Sequence, residues 1–309
     1  MEDRAEVSKC LWIVVGVVCI LSVGLWGLTG IGLRGSQFLV VVALTTALMS
    51  GSALYTFRRP HPRLARLLSG MAELLLLWVM IGALSYCGAA LAQPLWDESF
   101  QRWDEALGFD WRFWLEVLNK HPNVHLVLVF AYHSMLPQTA LAIIALATIR
   151  AYARLNIFLL AYGLAALATV AISTFMPALS PVVYLGISPA DHPNIVLAVS
   201  PEFQEHAVAL REGRMRIIDL SGAQGLVTFP SFHTVSAVLL LLAFWAVPYL
   251  RWISLGLNTL MLIAIPIEGS HYIVDVIAGA ALALATWGLA RWMVRREARA
   301  SPLAASVIP

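Results

Sequence analysis

Eight continuous apolar segments follow one another along the chain, each close to the length that a membrane-spanning helix requires. They cover residues 11–31, 36–57, 68–92, 123–149, 154–176, 231–249, 252–268 and 271–293. A helix of about 20 mostly apolar residues spans a bilayer, and in lipid its backbone polar groups are satisfied within the segment. Because the runs are continuously apolar and not alternating, we predict an all-α, polytopic transmembrane helix bundle with about eight spans.

The composition agrees with lipid as the surrounding solvent. Of the 309 residues, 60% are hydrophobic and only 12% are charged, whereas a soluble protein carries roughly twice that charged fraction. The net charge of +2 predicts no nucleic-acid partner. The cysteines Cys10, Cys19 and Cys87 form no CxxC pair, so we expect neither a disulfide framework nor a zinc site.

Lysine and arginine in the short connections indicate the orientation of the spans. With the amino terminus in the cytoplasm, most basic residues fall on the cytoplasmic side, among them Arg58, Arg66, Arg150, Arg251 and Arg295. An even number of spans then places both termini inside.

One of the two long outer connections, residues 93–122, is rich in tryptophan. It carries Trp96, Trp103, Trp111 and Trp114 among acidic and basic residues. Tryptophan at this density is typical of an amphipathic helix in the membrane interface. We therefore predict an interfacial helix that anchors the bundle, or alternatively forms a lateral wall or gate for a lipid.

The first candidate for chemistry is the sequence FPSFHT, residues 229–234, at the start of the sixth apolar segment. Pro230 suits the first turn of a helix, and Thr228 or Ser231 could cap that turn. His233 should then lie in the first turn at the membrane boundary. Free backbone N–H groups and the helix dipole favour an anion such as phosphate at that position.

The second candidate is GSHYIVDVIAG, residues 269–279, at the start of the eighth segment. His271 and Asp275 are four residues apart and share one helix face. The carboxylate fixes one imidazole tautomer and leaves the other ring nitrogen as a nucleophile or base. Two short crossings separate the motifs, so His233 and His271 return to the same, outer face. Such a pair suits attack on phosphorus, with one histidine attacking and the other protonating the leaving oxygen.

Together, the two motifs resemble the type 2 phosphatidic acid phosphatase superfamily, and most closely the branch that contains the inositol phosphorylceramide synthases. The resemblance covers about residues 120–290, and Met176 to Pro181 adds a weaker likeness. It implies that His271 is the nucleophile that forms a phosphohistidine, that Asp275 orients it, and that His233 is the general acid. It implies no metal and no other cofactor.

The resemblance also divides the chain. We treat residues 1–309 as a single integral membrane domain. Residues 1–67 would be accessory amino-terminal helices, residues 68–294 a catalytic bundle with a six-helix phosphatase-like core, and residues 295–309 a cytoplasmic tail.

The chain lacks the basic residues with which the classical phosphatases bind phosphate. Their Lys-x6-Arg-Pro element has no counterpart in the outer segments. Phe232 stands where they have glycine, and Ala264-Ile265 where they have Ser-Arg. The loss of these grips favours a phosphodiester donor, which carries less charge than a phosphate monoester.

Other polar residues near the motifs are candidate substrate contacts. The second long outer connection, residues 177–230, carries a basic cluster that could replace the lost grip. The full set of predicted substrate-binding residues is Ser231, Tyr272, Arg211, Arg214, Arg216, His133, Tyr132 and Glu268.

The leading functional hypothesis is a lipid phosphotransferase that moves a phosphoryl headgroup from a phospholipid-type donor to an alcohol. A phosphatase acting on lipid phosphates or polyprenyl diphosphates, with water as acceptor, would use the same residues. A non-enzymatic transporter or scaffold is the alternative of a different class. We expect an active site at the extracytoplasmic face, with a bacterial inner membrane favoured; the oligomeric state stays open.

Overall fold

The computed structural model describes residues 8–188, 191–195, 197, 201–219 and 226–300. The described chain is almost entirely helical. Its elements in order are α1 (Lys9–Thr29), β1 (Gly32–Leu33), α2 (Gly35–Ala53, continued by a π-helical turn Leu54–Arg58), α3 (Pro62–Ala90), α4 (Asp97–Ala106), α5 (Trp111–Asn119), α6 (Pro122–His133), α7 (Met135–Thr148), α8 (Tyr152–Phe175), α9 (Pro181–Tyr184), α10 (Pro201–Arg211), β2 (Ile217–Ile218), α11 (Phe232–Phe244), α12 (Leu250–Glu268) and α13 (Ile273–Ala300).

Every predicted apolar segment coincides with helix, but the described helices do not amount to eight spans. Six are long and apolar enough to cross a membrane, or seven if α6 and α7 together count as one span. These six apolar helices make the chain a multi-pass integral membrane protein. The predicted span 231–249 is the exception: α11 has only 13 residues, because Pro248 and the positive φ of Tyr249 separate it from α12.

A bend of 47° separates α6 from α7 within the predicted segment 123–149. Pro137 lies in the first turn of α7. It has no N–H to donate, and its ring conflicts with the carbonyl four residues earlier, which belongs to His133. The helix therefore breaks at Ser134, and this break turns His133 outward at the bend.

The centre of the bundle is α8, which packs against α1, α3, α11 and α13. Its Leu155, Phe158 and Leu159 are completely buried. Helix α1 also joins this core through Leu11, whereas α2 lies on α3 with most of its side chains exposed. The two predicted accessory helices therefore differ in how they pack.

Both histidine motifs lie at one end of the bundle, because α11 and α13 start there. The opposite end is identified by Glu297 near the end of α13, whose carboxylate accepts hydrogen bonds from Ser8 Oγ (2.6 Å) and from the backbone N–H of Cys10 (2.8 Å). The start of α1 and the end of α13 thus meet at the end opposite the motifs. Residues 295–300, predicted as tail, are helical, and 301–309 lie outside the described residues.

Helix α3 begins at Pro62, not at the predicted residue 68, and this places Arg66 inside the helix. The side chain is fully buried; its guanidinium contacts Glu73 at 3.1 Å and donates to Asn156 Oδ1 at 2.8 Å. From the sequence we expected Arg66 to be a cytoplasmic loop charge. It instead forms a buried ion pair with Glu73 within α3, and its hydrogen bond to Asn156 joins α3 to α8.

The tryptophan-rich connection forms two helices, α4 and α5, instead of the single interfacial helix that we predicted. Gly108, with a φ of +78°, turns the chain between them. Farther along, β1 pairs in parallel with β2, so that Gly32 faces Ile217. This short pairing ties the α1–α2 connection to the segment after α10.

Candidate active site

The start of α11 holds the first motif, but Pro230 precedes the helix and does not lie in its first turn as predicted. Ser231 is the N-cap, and its hydroxyl accepts from the backbone N–H of Thr234. His233 follows in the first turn. Ser231 is fully buried, and its hydroxyl caps α11; its predicted contact with substrate stays a prediction.

The second motif forms the turn between α12 and α13. Ser270 has a φ of +50°, in the left-handed region that serine seldom adopts. Such local strain is typical of functional sites. The next residue, His271, is bonded through Nδ1 to Asp275 Oδ2 at 3.0 Å, and the N–H of Tyr272 donates to the same oxygen.

This contact selects the tautomer of His271. An ionised carboxylate only accepts hydrogen bonds, so Nδ1 carries the proton. The lone pair of Nε2 is then available to a substrate. The geometry is that of a histidine oriented by a carboxylate for nucleophilic or base catalysis.

Close packing of α11 on α13 brings the two motifs together. The N–H of Ser231 donates to the backbone carbonyl of Asp275 at 3.0 Å. Gly279 makes the approach possible, since a Cβ there would lie 2.5 Å from Ser231 O and 2.9 Å from Thr234 Cβ. The glycine that closes the second motif is therefore the contact point with the first.

Three histidines, His133, His233 and His271, line one cavity of about 560 Å³. Tyr132 connects them: its ring stacks on His233, with centroids 4.0 Å apart and planes 15° apart. Tyr132 also packs closely against Gly269. A Cβ at Gly269 would lie 2.9 Å from Tyr132 Cε2 and 2.8 Å from His271 Cδ2.

The rest of the cavity wall is mostly apolar. Helix α3 contributes Leu77, Trp78 and Ile81, and the polar lining includes Ser180 and Ser270. Ser270, which sequence reasoning missed, is 2% exposed, and its hydroxyl has no hydrogen-bond partner among the described residues. Its position next to His271 was the only signal in the sequence.

The three arginines predicted to grip phosphate do not line this cavity. Arg211 donates to the backbone carbonyl of Gln93, Arg216 to that of Thr29, and Arg214 pairs with Glu212. Arg211 is the last residue of α10, and Arg214 and Arg216 lie between α10 and β2, outside the turn that carries His271.

Tyr272 and Glu268, also predicted as substrate contacts, point into protein. The hydroxyl of Tyr272 donates to Asp97 Oδ1 at 3.0 Å, and the ring is completely buried. Burial raises the pKa of Tyr272, so the phenol stays a donor. Glu268 is buried too and is bonded to His125 Nδ1 at 2.7 Å; we had assigned His125 no role.

Two carboxylates of α4, missed in the sequence analysis, contact the second motif. Asp97 accepts from Tyr272, and Asp104 accepts from the N–H groups of Ile273 (2.8 Å) and Val274 (3.1 Å). Burial raises the pKa of Asp104 to about 6. None of the described lining residues of the cavity comes from α4; a lateral wall or gate formed by this connection stays a prediction.

Comparison with known protein families identifies the family to which the chain belongs. A family model of the PAP2 superfamily matches residues 98–289, which include both histidine motifs. The chain belongs to the PAP2 superfamily. Members of this type 2 phosphatidic acid phosphatase superfamily are phosphatases and phosphotransferases, so this PAP2 protein is an enzyme of that kind. No curated protein and no solved structure matches it. The matched region starts in α4, so the cavity wall formed by α3 lies outside it.

Proposed function

We propose that this PAP2 protein is a lipid phosphotransferase that moves a phosphoryl headgroup from a phosphodiester lipid to an alcohol through a phosphohistidine. The observation that carries the proposal is the chemistry of the cavity. Its polar groups are three histidines and several hydroxyls, and no lysine or arginine occurs among its described lining residues.

The charge of the substrate decides between the possible donors. A phosphate monoester carries about −1.5 to −2 at pH 7, whereas a phosphodiester carries a single negative charge. Removing a dianion from water without a paired cation is costly. Imidazole and hydroxyl groups in an apolar cavity therefore favour the diester. The apolar wall from α3 suits a lipid chain, and about 560 Å³ is in the usual range of ligand sites.

In the first step, Nε2 of His271 attacks phosphorus, and the P–N bond forms as the bond from phosphorus to the lipid alcohol oxygen breaks. His233 donates its proton to that leaving oxygen. Asp275 holds Nδ1–H and stabilises the positive charge that develops on the imidazole.

In the second step, the acceptor hydroxyl gives its proton to His233, and its oxygen attacks phosphorus. The P–N bond breaks, which regenerates His271 and completes the new phosphodiester. An acceptor alcohol, and not water, fits a site with this much apolar surface. We place the reaction at the extracytoplasmic face, in an inositol phosphorylceramide synthase-like branch of the superfamily.

The test is mass spectrometry of phospholipids incubated with purified protein, with and without candidate acceptor alcohols. His271→Ala should form no product, while His121→Ala, a histidine exposed at the start of α6, should behave as wild type. Phosphate trapped on the wild-type protein should be labile to acid, as phosphohistidine is.

Two outcomes would overturn the proposal. Free headgroup or phosphate released at the same rate with or without an acceptor would make the protein a phosphatase. Full activity of His271→Ala would rule out a phosphohistidine intermediate at His271.

A further inference from the structure

One face of α4 contacts both catalytic motifs. Asp97, Phe100 and Asp104 are spaced three and four residues apart and therefore share one helix face. They are 5%, 0% and 2% exposed, whereas Glu105 next to them is exposed. We call Asp97, Phe100 and Asp104 the docking face of α4.

The two carboxylates of this face hold the turn that carries His271 from both sides. Asp104 accepts the N–H groups of Ile273 and Val274, the first residues of α13. These N–H groups have no partner within their own helix, and a carboxylate there is also favoured by the helix dipole. Asp97 accepts from the hydroxyl of Tyr272, the residue next to His271.

Asp97 also reaches the opposite wall of the cavity. Its carboxylate accepts from the N–H groups of Leu179 (3.0 and 3.1 Å) and Ser180 (3.1 Å). Both of these residues line the cavity. Asp97 therefore ties the cavity wall to the His271 turn through one buried side chain.

Phe100 connects the same face to the first motif. Its ring stacks on Phe229, with centroids 4.7 Å apart, and contacts Tyr272 at 5.7 Å. Phe229 opens the motif that carries His233. The ring of Phe100 thus lies between a residue of the first motif and a residue of the second.

We propose that the docking face of α4 positions the two catalytic histidines relative to each other, with Asp104 as its principal residue. The effect on the reaction rests on the proposed function, whereas the contacts of α4 do not depend on it. Asp104 touches no reacting atom. It acts through the backbone of Ile273 and Val274, and these residues set the direction of α13 relative to His271.

The experiment compares Asp104→Ala, Asp104→Asn and the control Glu105→Ala, which removes the same charge from the exposed side of the same turn. The first readout is backbone hydrogen exchange of the full-length protein at Ile273 and Val274. Loss of two charge-assisted hydrogen bonds should speed exchange about tenfold or more in Asp104→Ala. Asp104→Asn keeps one acceptor oxygen for the two N–H groups, which donate to different oxygens of Asp104, so its exchange should lie between that of wild type and that of Asp104→Ala.

The second readout is the steady-state rate of headgroup transfer. Asp104→Ala should lower kcat by about 10- to 100-fold with KM within about twofold, because a displaced nucleophile slows chemistry without weakening lipid binding. Asparagine, which keeps one of the two acceptor oxygens, should recover part of the rate, and Glu105→Ala should match wild type. A general loss of folding would instead speed hydrogen exchange in the other helices as well, whereas the positioning role predicts faster exchange at Ile273 and Val274 and at their neighbours only.

The two readouts separate the inference from the proposed function. Exchange is measured without substrate, so a wild-type protein that transfers no headgroup counts against the proposed function alone. Wild-type exchange at Ile273 and Val274 in Asp104→Ala would overturn the positioning role, whatever the activity. Faster exchange together with an unchanged kcat would overturn it as well.

Discussion

Gly279 offers the most direct test of how the two motifs are joined. In Gly279→Ala, the new Cβ would lie 2.5 Å from the backbone carbonyl oxygen of Ser231. Ordinary contact begins near 3.4 Å, so α11 and α13 must separate by about 0.9 Å. The atom in the way is backbone at a helix cap, which cannot rotate aside as a side chain would.

The cost follows from that displacement. Overpacking of a tight contact costs about 1–3 kcal/mol. The displacement also lengthens the hydrogen bond from Ser231 N–H to the carbonyl of Asp275, and it moves His233 away from His271. Since a misplacement of about 1 Å costs on the order of 100-fold in rate, activity should fall by about that factor.

Gly288→Ala is the matched control. Gly288 lies in the same helix, and a Cβ there meets nothing within 4 Å. Alanine is favoured over glycine in a helix by about 1 kcal/mol, so this variant should be as stable as wild type or more so. The assays are thermal unfolding in detergent and lipid turnover by mass spectrometry. If Gly279→Ala has the same stability and the same rate as Gly288→Ala, the close approach of α11 to α13 is refuted.

Four further predictions test single groups. His233→Ala should slow substrates with poor leaving groups far more than an activated phenyl ester, since only poor leaving groups need an acid; equal losses would count against His233 as the acid. Asp275→Asn should lower kcat by roughly 10²–10⁴-fold but leave measurable transfer, because the carboxylate orients and does not attack. Glu73→Leu leaves the buried charge of Arg66 unpaired and should cost about 3–5 kcal/mol, measured by thermal unfolding; a matching Arg66→Met should restore stability. Burial raises the pKa of Asp104 from 3.8 to about 6, so its protonation favours the folded state at low pH. The stability that this group contributes should be lost as the pH rises from about 4 through 6, and Asp104→Asn should flatten that dependence.

Much of the catalytic site can be predicted from local sequence. The four-residue spacing of His271 and Asp275 predicts a hydrogen bond within one helix turn, and the structure has it at 3.0 Å. The proline and serine before His233 predict a helix start, and Ser231 is the N-cap. Such features depend on neighbours within about one turn, so sequence order alone is sufficient to predict them.

Residues that act over long sequence distances could not be predicted in this way. Asp97 and Asp104 lie 175 and 169 residues before the groups they bind in the second motif. In the sequence they look like ordinary charges of an interfacial helix. Arg66, counted as a loop charge, became part of a buried pair because Glu73 is two turns later in the same helix and Asn156 is supplied by α8.

The sequence by itself predicted that the solvent is lipid, that the fold is helical and that two histidine motifs form the candidate site, because hydrophobic content and short-range spacing are local properties. The tertiary structure alone decided which charges meet the site. It left Arg211, Arg214 and Arg216 outside the cavity and brought α4 against both motifs. The physical reason is that a buried carboxylate or guanidinium lies where partners from other helices satisfy it, and only folding brings those partners together.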